Sequence, residues 1–234
     1  MTGKEKFVRK IVANCVIVAV IVAVFSVSFA YIRRDVSAAD APIYKGGAAD
    51  KVSLMVNVYW GTEYIQPMLD IFAENNVTTT FFVGGMWVKD NEETLKKIYA
   101  AGHEIANHGF FHKDQKKLDY ARNREEIEVT HKLVESILGI KMDLFAPPSG
   151  SFGDTTIRAA EDLGYRTIMW SLDTIDWRDK DSELIFSRAT KKAEGGSLIL
   201  MHPTEATVNA LNRIIKTLAN KQLTVARVSE VLAG

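Results

Sequence analysis

His108-Gly109-Phe110-Phe111-His112 sets two imidazoles four residues apart. On a helix they would share a face, and on a loop after a strand they can also converge on one cation. A catalytic zinc takes three protein ligands and one open position, so the pair needs a third ligand from elsewhere in the chain. The spacing alone is a weak metal signal. His103 and His131 show the plainer use of the residue: one starts a strand run and the other lies in the middle of a helical run. His202 ends the apolar run Leu198–Met201. It suits either a capped core histidine or a general acid that gives a proton to a leaving amine near neutral pH. Asp176, in Asp173-Thr174-Ile175-Asp176-Trp177, is of the type that hydrogen-bonds such an imidazole and fixes its tautomer; a turn-capping acid is the other reading. Trp177 suits a sugar face or simple packing equally well.

Groups this far apart in sequence need a scaffold that gathers them. Short β-rich runs occur at Val52–Val58, Thr78–Val83, Glu104–Ala106, Asp143–Phe145, Arg166–Trp170, Ser197–Met201 and Leu223–Ala226. Helical stretches fall between them at Ile65–Asn75, Asn91–Ala101, Arg122–Leu138, Thr155–Leu163, Ser182–Ala193 and Thr207–Asn220. Gly102, Gly139 and Gly164 stand where a left-handed residue stops a helix. Strand and helix in such alternation imply parallel β/α units, as a barrel or as an open doubly wound sheet. The polar residues that follow each strand run then sort together. They are Asn57, Tyr59 and Glu63; Asn107, His108 and His112; Pro147, Pro148 and Ser149; Asp173, Asp176 and Trp177; and His202. In parallel β/α folds the C-terminal rim is where catalytic residues gather, so this sorting favours an enzyme-like site.

Lys plus Arg and Asp plus Glu balance at 29 each in 234 residues, so no net field argues for nucleic acid as a partner. The single cysteine, Cys15, lies in the N-terminal apolar run, which leaves the remaining domain without a disulfide or a thiolate metal site. That run, Ile11 to Ile32, follows Lys4, Lys6, Arg9 and Lys10. It is long enough for a transmembrane anchor and longer than the apolar part of an ordinary cleaved signal, although Ser28-Phe29-Ala30 and Ser37-Ala38-Ala39 are weak cleavage sites. The expected order is a cytoplasmic tail (1–10), an anchor or signal (11–32), a tether (33–50) and a domain (51–234). The positive-inside rule puts the domain on the extracytoplasmic side of the cell membrane, against the opposing charge of Arg33 and Arg34.

Five blocks in order resemble the motif set of the polysaccharide deacetylases, the NodB-homology family, from about Lys51 to Val231. Asn107–His112 is similar to the family's His-rich metal motif and Phe145–Gly150 to its Arg-Pro-Pro-x-Gly loop. Asp173–Trp177 is similar to its Asp-x-x-Asp-Trp block, and Leu198–His202 to its last Leu-x-x-x-His strand. The wording of Val56–Tyr64 and Pro147–Phe152 is closest to a sporulation-associated, membrane-anchored branch. The resemblance implies an α/β fold, a distorted TIM-like (β/α) barrel of about seven parallel strands. It also implies metal-dependent hydrolysis of acetyl groups on a glycan such as peptidoglycan or a chitin-like oligosaccharide. His108 and His112 would be metal ligands, His202 and Asp176 catalytic groups, and Tyr59, Pro147, Pro148, Ser149 and Trp177 substrate contacts.

The first-strand block departs from the family pattern. Members carry Thr-Phe-Asp-Asp there, the first Asp acting as general base and the second as metal ligand. Asn57 and Val58 stand in those places in one register and Tyr59 and Trp60 in the shifted one; neither register supplies a carboxylate. Ala146 replaces the arginine that pairs with the base. An amide at Asn57 cannot deprotonate a water. Three expectations follow: a divalent metal, zinc by family, held weakly by His108 and His112; Glu63 as the one nearby carboxylate able to substitute as base or ligand; and, as the alternative, a glycan-binding or sporulation-structural module without turnover.

Overall fold

The computed structural model describes residues 16–22 and 41–234, in two units that divide at residues 39 and 40. Residues 16–22 are helical. The rest of the Ile11–Ile32 run lies outside the described residues, and among these no helix is long and apolar enough to cross a membrane.

In the unit from residue 40 onward the strands are β1 (Lys51–Val58), β2 (Thr80–Val83), β3 (Glu104–Asn107), β4 (Leu144–Phe145), β5 (Arg166–Thr167), β6 (Leu172–Asp173), β7 (Leu198–Met201) and β8 (Thr224–Val225). The helices are α1 (Thr62–Glu74), α2 (Gly85–Asp90), α3 (Glu92–Ala100), α4 (Tyr120–Leu138), α5 (Asp154–Glu161), α6 (Ser182–Thr190), α7 (Glu205–Asn220) and α8 (Val228–Leu232). Seven strands run in the order β5-β4-β3-β2-β1-β7-β6, every pairing parallel, and β8 adds beside the start of β1. The parallel strands form a distorted half-barrel, where the resemblance implied a distorted barrel of about seven. All seven strand runs read from the sequence are present; β6, α2 and α8 are additions.

The two-residue period of β1 separates two cores. Val52, Leu54, Val56 and Val58 join an outer apolar layer with Phe72, Ile98, Ile127 and Leu211 from the helices. Met55 instead faces an inner cluster with Phe82, Ala106, Leu144, Ala146 and Ile168. Burying each large side chain of these layers is worth roughly 1.5–3 kcal/mol. The layers therefore fix which way every strand faces, and with that which strand-end residues reach the mouth of the barrel.

Residues 41–49 correct the expectation of a free tether up to residue 50. Ile43 bridges to Ile168 beside β5, Lys45 bridges to Ser197, and Ala48 is buried with its N–H donating to the carbonyl of Val231. Backbone bonds that close the base of the half-barrel hold this stretch, and its small residues allow the approach. A side-chain carbon at Gly46 would stand 2.2 Å from the Val231 carbonyl oxygen.

Candidate active-site cleft

The rim loops after β1, β3, β4, β6 and β7 meet around a cavity of about 430 Å³. It is lined by Asn57, Tyr59, Trp60, His108, His112, Ser149, Trp170, Asp173, Trp177, Leu200 and His202. Its size is ordinary for a small-ligand site. Three of the five non-glycine residues with positive φ among the described residues, His112, Ser149 and Ile175, lie in these loops. For the β-branched Ile175 this conformation is a true outlier. Such strain persists only where surrounding contacts over-determine it, and it gathers at functional sites.

The β3 loop is held from beneath. Glu126 of α4 accepts the N–H groups of Phe110 and Phe111 through one carboxylate oxygen, at 2.9 and 2.7 Å. Asn107 accepts the N–H of Gly109 and donates to the carbonyl of Ile127. These contacts turn His108 and His112 toward each other, ring centroids 5.2 Å apart. His108 Nδ1 lies 2.7 Å from the carbonyl of Ala146. A carbonyl only accepts, so the proton sits on Nδ1 and Nε2 keeps its lone pair. Burial is the main cause that lowers the His108 pKa to about 3, with His112 adding to it. Burial likewise lowers that of His112. Both rings are neutral bases near neutral pH.

On the opposite wall, Asp176 is 1% exposed and fully bonded. One oxygen accepts the His202 N–H at 2.6 Å and the Thr207 hydroxyl at 2.6 Å; the other lies 2.7 Å from His202 Nδ1. The carboxylate thus fixes Nδ1 as the proton-bearing nitrogen and leaves Nε2 as the ring's working atom. Trp60 stacks on His202, centroids 5.7 Å apart and planes within 10°. Trp177 is 54% exposed at the edge of the same cavity.

The first strand decides between the two registers. Val58 is fully buried in the outer apolar layer, facing away from the cavity. Asn57 lies low in the barrel, 3% exposed, with a buried Oδ1 that has no hydrogen-bond partner. Tyr59 and Trp60 are the residues that stand beside imidazoles, Tyr59 with its ring 4.9 Å from that of His112 and Trp60 on His202. The positions that flank the histidines are therefore 59 and 60, and both carry aromatic rings.

Two expectations change here. Glu63 does not join the histidines. Gly61, in the left-handed region at φ 77°, turns the chain into α1, and Glu63 lies exposed in its first turn, lining a neighbouring cavity. Pro147 and Pro148 are buried and lie outside the lining of the main cavity, so only Ser149 of that loop reaches it. Trp170 and Leu200 line the cavity without having been singled out; their apolar types read as core. Asp173 also lines it, its Oδ1 accepting the Ile175 N–H at 2.8 Å.

As a donor set for a divalent ion the cavity falls short. Among the described residues no group of three or more His, Cys, Asp or Glu is placed to hold a metal. Two neutral nitrogens with aromatic neighbours supply neither the third ligand nor the negative charge that zinc takes from a carboxylate. The residues present do not fit a resident metal. What they do offer is an oriented imidazole, two neutral imidazoles and aromatic walls.

The polysaccharide deacetylase model matches residues 45–168. An uncharacterised protein of Bacillus subtilis, YlxY, is 40% identical over 193 residues, 82% of this chain and 60% of that relative, so the chain spans less than two thirds of it. A peptidoglycan-N-acetylglucosamine deacetylase of Bacillus cereus is 30% identical over 175 residues, 72% of this chain and 82% of that one. The crystal structure of wild-type BA3943, described as a CE4 family pseudoenzyme from Bacillus anthracis, superposes with a TM-score of 0.80 at 38% identity, covering 82% of this chain and 69% of that one. A mutant of the same protein, described as having restored enzymatic activity, gives the same TM-score at 36% identity, covering 82% and 71%. The family model covers more than half of the chain, and the chain belongs to the polysaccharide deacetylase family.

Proposed function

We propose that this chain is a polysaccharide deacetylase-family protein directed at acetylated cell-wall or spore glycan, whose cleft binds the sugar but turns it over poorly. The observation that carries this reading is the asymmetry of the cavity. His202 is oriented by a fully bonded Asp176, while positions 59 and 60 carry Tyr and Trp beside the paired histidines. His202 and Asp176 keep the geometry for protonating a leaving amine. No residue in the cavity combines with His108 and His112 to activate a water, so attack on the amide lacks its nucleophile. Aromatic walls at Tyr59, Trp60, Trp170 and Trp177 suit the apolar face of a sugar ring. Within this reading the protein belongs to the sporulation-associated, membrane-tethered branch, with the Ile11–Ile32 run as anchor and the cleft on the extracytoplasmic side.

The test is binding and turnover measured on one preparation. Titration calorimetry with N-acetylglucosamine oligomers or peptidoglycan fragments should give saturable binding, weakened in Trp177→Ala. Acetate release from the same oligomers should stay near the uncatalysed level with or without added zinc. Robust acetate release by the wild-type chain would sink the reading of poor turnover. Absence of binding to either glycan would sink the reading as a whole.

A further inference from the structure

A second cavity, of about 620 Å³, adjoins the first. Trp60, Gly61, Glu63, Tyr64 and Trp177 line it from the β1 and β6 loops, and Lys180, Ser182, Thr204, Glu205 and Asn209 from the starts of α6 and α7. Trp60 and Trp177 line both cavities. They are 44% and 54% exposed, although indoles are highly buried on average. The two cavities therefore share a tryptophan pair at their border, so that a ligand lying across these rings reaches from the histidine cavity into the second.

The two compartments differ in charge. In the first, His108 and His112 are neutral and Asp173 is the one acidic lining residue. In the second, two exposed carboxylates, Glu63 and Glu205, face a single ammonium, Lys180; the buried Asp176 also lines it, its oxygens already taken by His202 and Thr207. Among the described residues neither Glu63 nor Glu205 makes an ion pair, and Lys180 makes none. Both acids sit in the first turn of a helix, where the dipole favours them. Neither is used as a cap: Thr204 takes that role for α7, accepting the N–H of Thr207, and no side chain caps α1. Their acceptor oxygens remain available to the cavity, alongside the amide of Asn209 and the hydroxyls of Tyr64, Ser182 and Thr204.

We infer that the second cavity is a sugar subsite for a residue bearing a free amine, so that the chain recognises a glycan already de-N-acetylated next to the unit held at the histidines. This rests on the glycan reading above. The ring of the second sugar lies against Trp60 and Trp177, its hydroxyls meet Asn209 and the hydroxyl side chains, and its ammonium meets Glu63 and Glu205 through charge-assisted hydrogen bonds. An acetamido group there would leave two carboxylates facing a neutral substituent. The chemical class of the ligand is a partially deacetylated β-linked glucosamine polymer, at least two units long.

Calorimetric titration of the chain carrying both units would use two probes of equal length, a fully acetylated N-acetylglucosamine tetramer and a partially deacetylated one. The partially deacetylated tetramer should bind about tenfold or more tightly, and the difference should shrink as salt is raised, since exposed charges are screened. Glu63→Gln with Glu205→Gln should bring its affinity down to that of the acetylated tetramer and leave the latter unchanged. Trp177→Ala, at the junction, should weaken both. Thermal melts of each variant separate a local effect from misfolding. Equal affinity of the wild type for the two tetramers, or a preference that survives the double substitution, overturns the subsite and leaves the glycan reading standing. Failure of both tetramers to bind overturns the two together.

Discussion

The two walls of the main cavity have kept different things. On the β7 wall a buried carboxylate has every bond it needs: Asp176 is satisfied by the His202 backbone, the His202 ring and the Thr207 hydroxyl. On the other side the charged groups that the resemblance implies are absent together, the carboxylates at the end of β1 and the arginine at 146, just after β4. Removing one member of a buried ion pair leaves an uncompensated charge, at a cost of about 3–5 kcal/mol. Removing both leaves a neutral surface, here Tyr59 and Trp60 after β1 and the buried Ala146 after β4. A cavity can thus be without these charges and remain well formed, because a neutral wall leaves no buried charge uncompensated.

The largest test of that contrast is to put the charges back. Tyr59→Asp, Trp60→Asp and Ala146→Arg together should raise acetate release from N-acetylglucosamine oligomers in added zinc by about 10²-fold or more, the scale of a recovered general base. The variant should also retain zinc through gel filtration when the wild type does not. Ala146 is fully buried, so the arginine alone should destabilise the chain. A double-mutant cycle should show the carboxylate at 59 relieving part of that cost. The register read at positions 57 and 58 should fail instead. Val58→Asp places a carboxylate in the outer apolar layer and should leave little folded protein. A zinc-dependent gain from Asn57→Asp with Val58→Asp would refute the placement of the site at 59 and 60.

On the other wall, Asp176→Ala should lower stability by about 3–5 kcal/mol, because it strands a backbone N–H, a hydroxyl and an imidazole in a buried setting. For a domain of this size each kcal/mol corresponds to roughly 2–4 °C in melting temperature. A loss under about 1 kcal/mol in a urea titration would mean that water reaches these groups and that the wall is less rigid than its bonds imply.

Much of this contrast was legible before any coordinates. Strand-end sorting gathered Asn57, His108, His112, Asp176 and His202 because parallel β/α units deliver all such ends to one rim. Three features escaped, each for a physical reason. Strand β6 is two residues long and shows no alternation to read. Trp170 and Leu200 are of core types, and only the curvature of the sheet makes them walls. Glu63 was placed with the histidines by its closeness in sequence to Tyr59. The left-handed Gly61 and the start of α1 carry it out of the main cavity and into the next.

The pH dependence of folding is a further, smaller test. His108 is held to a pKa of about 3 and His103 to about 4, in both cases mainly by burial. In the unfolded chain each would titrate near 6.5. The unfolded state therefore binds more protons below that pH, and stability rises with pH in the window. This contribution is complete above about pH 6.5 and is lost as pH falls toward 4 and then 3, at up to about 1.4 kcal/mol per pH unit for each ring. Replacing His103 by Asn, away from the cavity, should flatten part of the acid limb of the stability curve. An unchanged slope would mean that His103 opens to solvent before it protonates.

The smallest expected effect belongs to Asn57. Its Oδ1 is buried without a partner, an arrangement that ordinarily costs about 1–3 kcal/mol, yet no charge in the neutral wall depends on it. Asn57→Leu keeps the branched shape and removes the orphan acceptor. Replacing an unsatisfied polar group by an apolar one of similar shape is close to neutral or stabilising, so the change in unfolding free energy should lie between zero and about 1 kcal/mol in favour of the variant. Glycan binding should be little altered, since the aromatic walls do not move. A loss of more than about 1 kcal/mol would show that the amide holds an ordered water at the floor of the cavity. The β1 wall would then be a polar network like the one opposite, rather than a surface packed in place of lost charges.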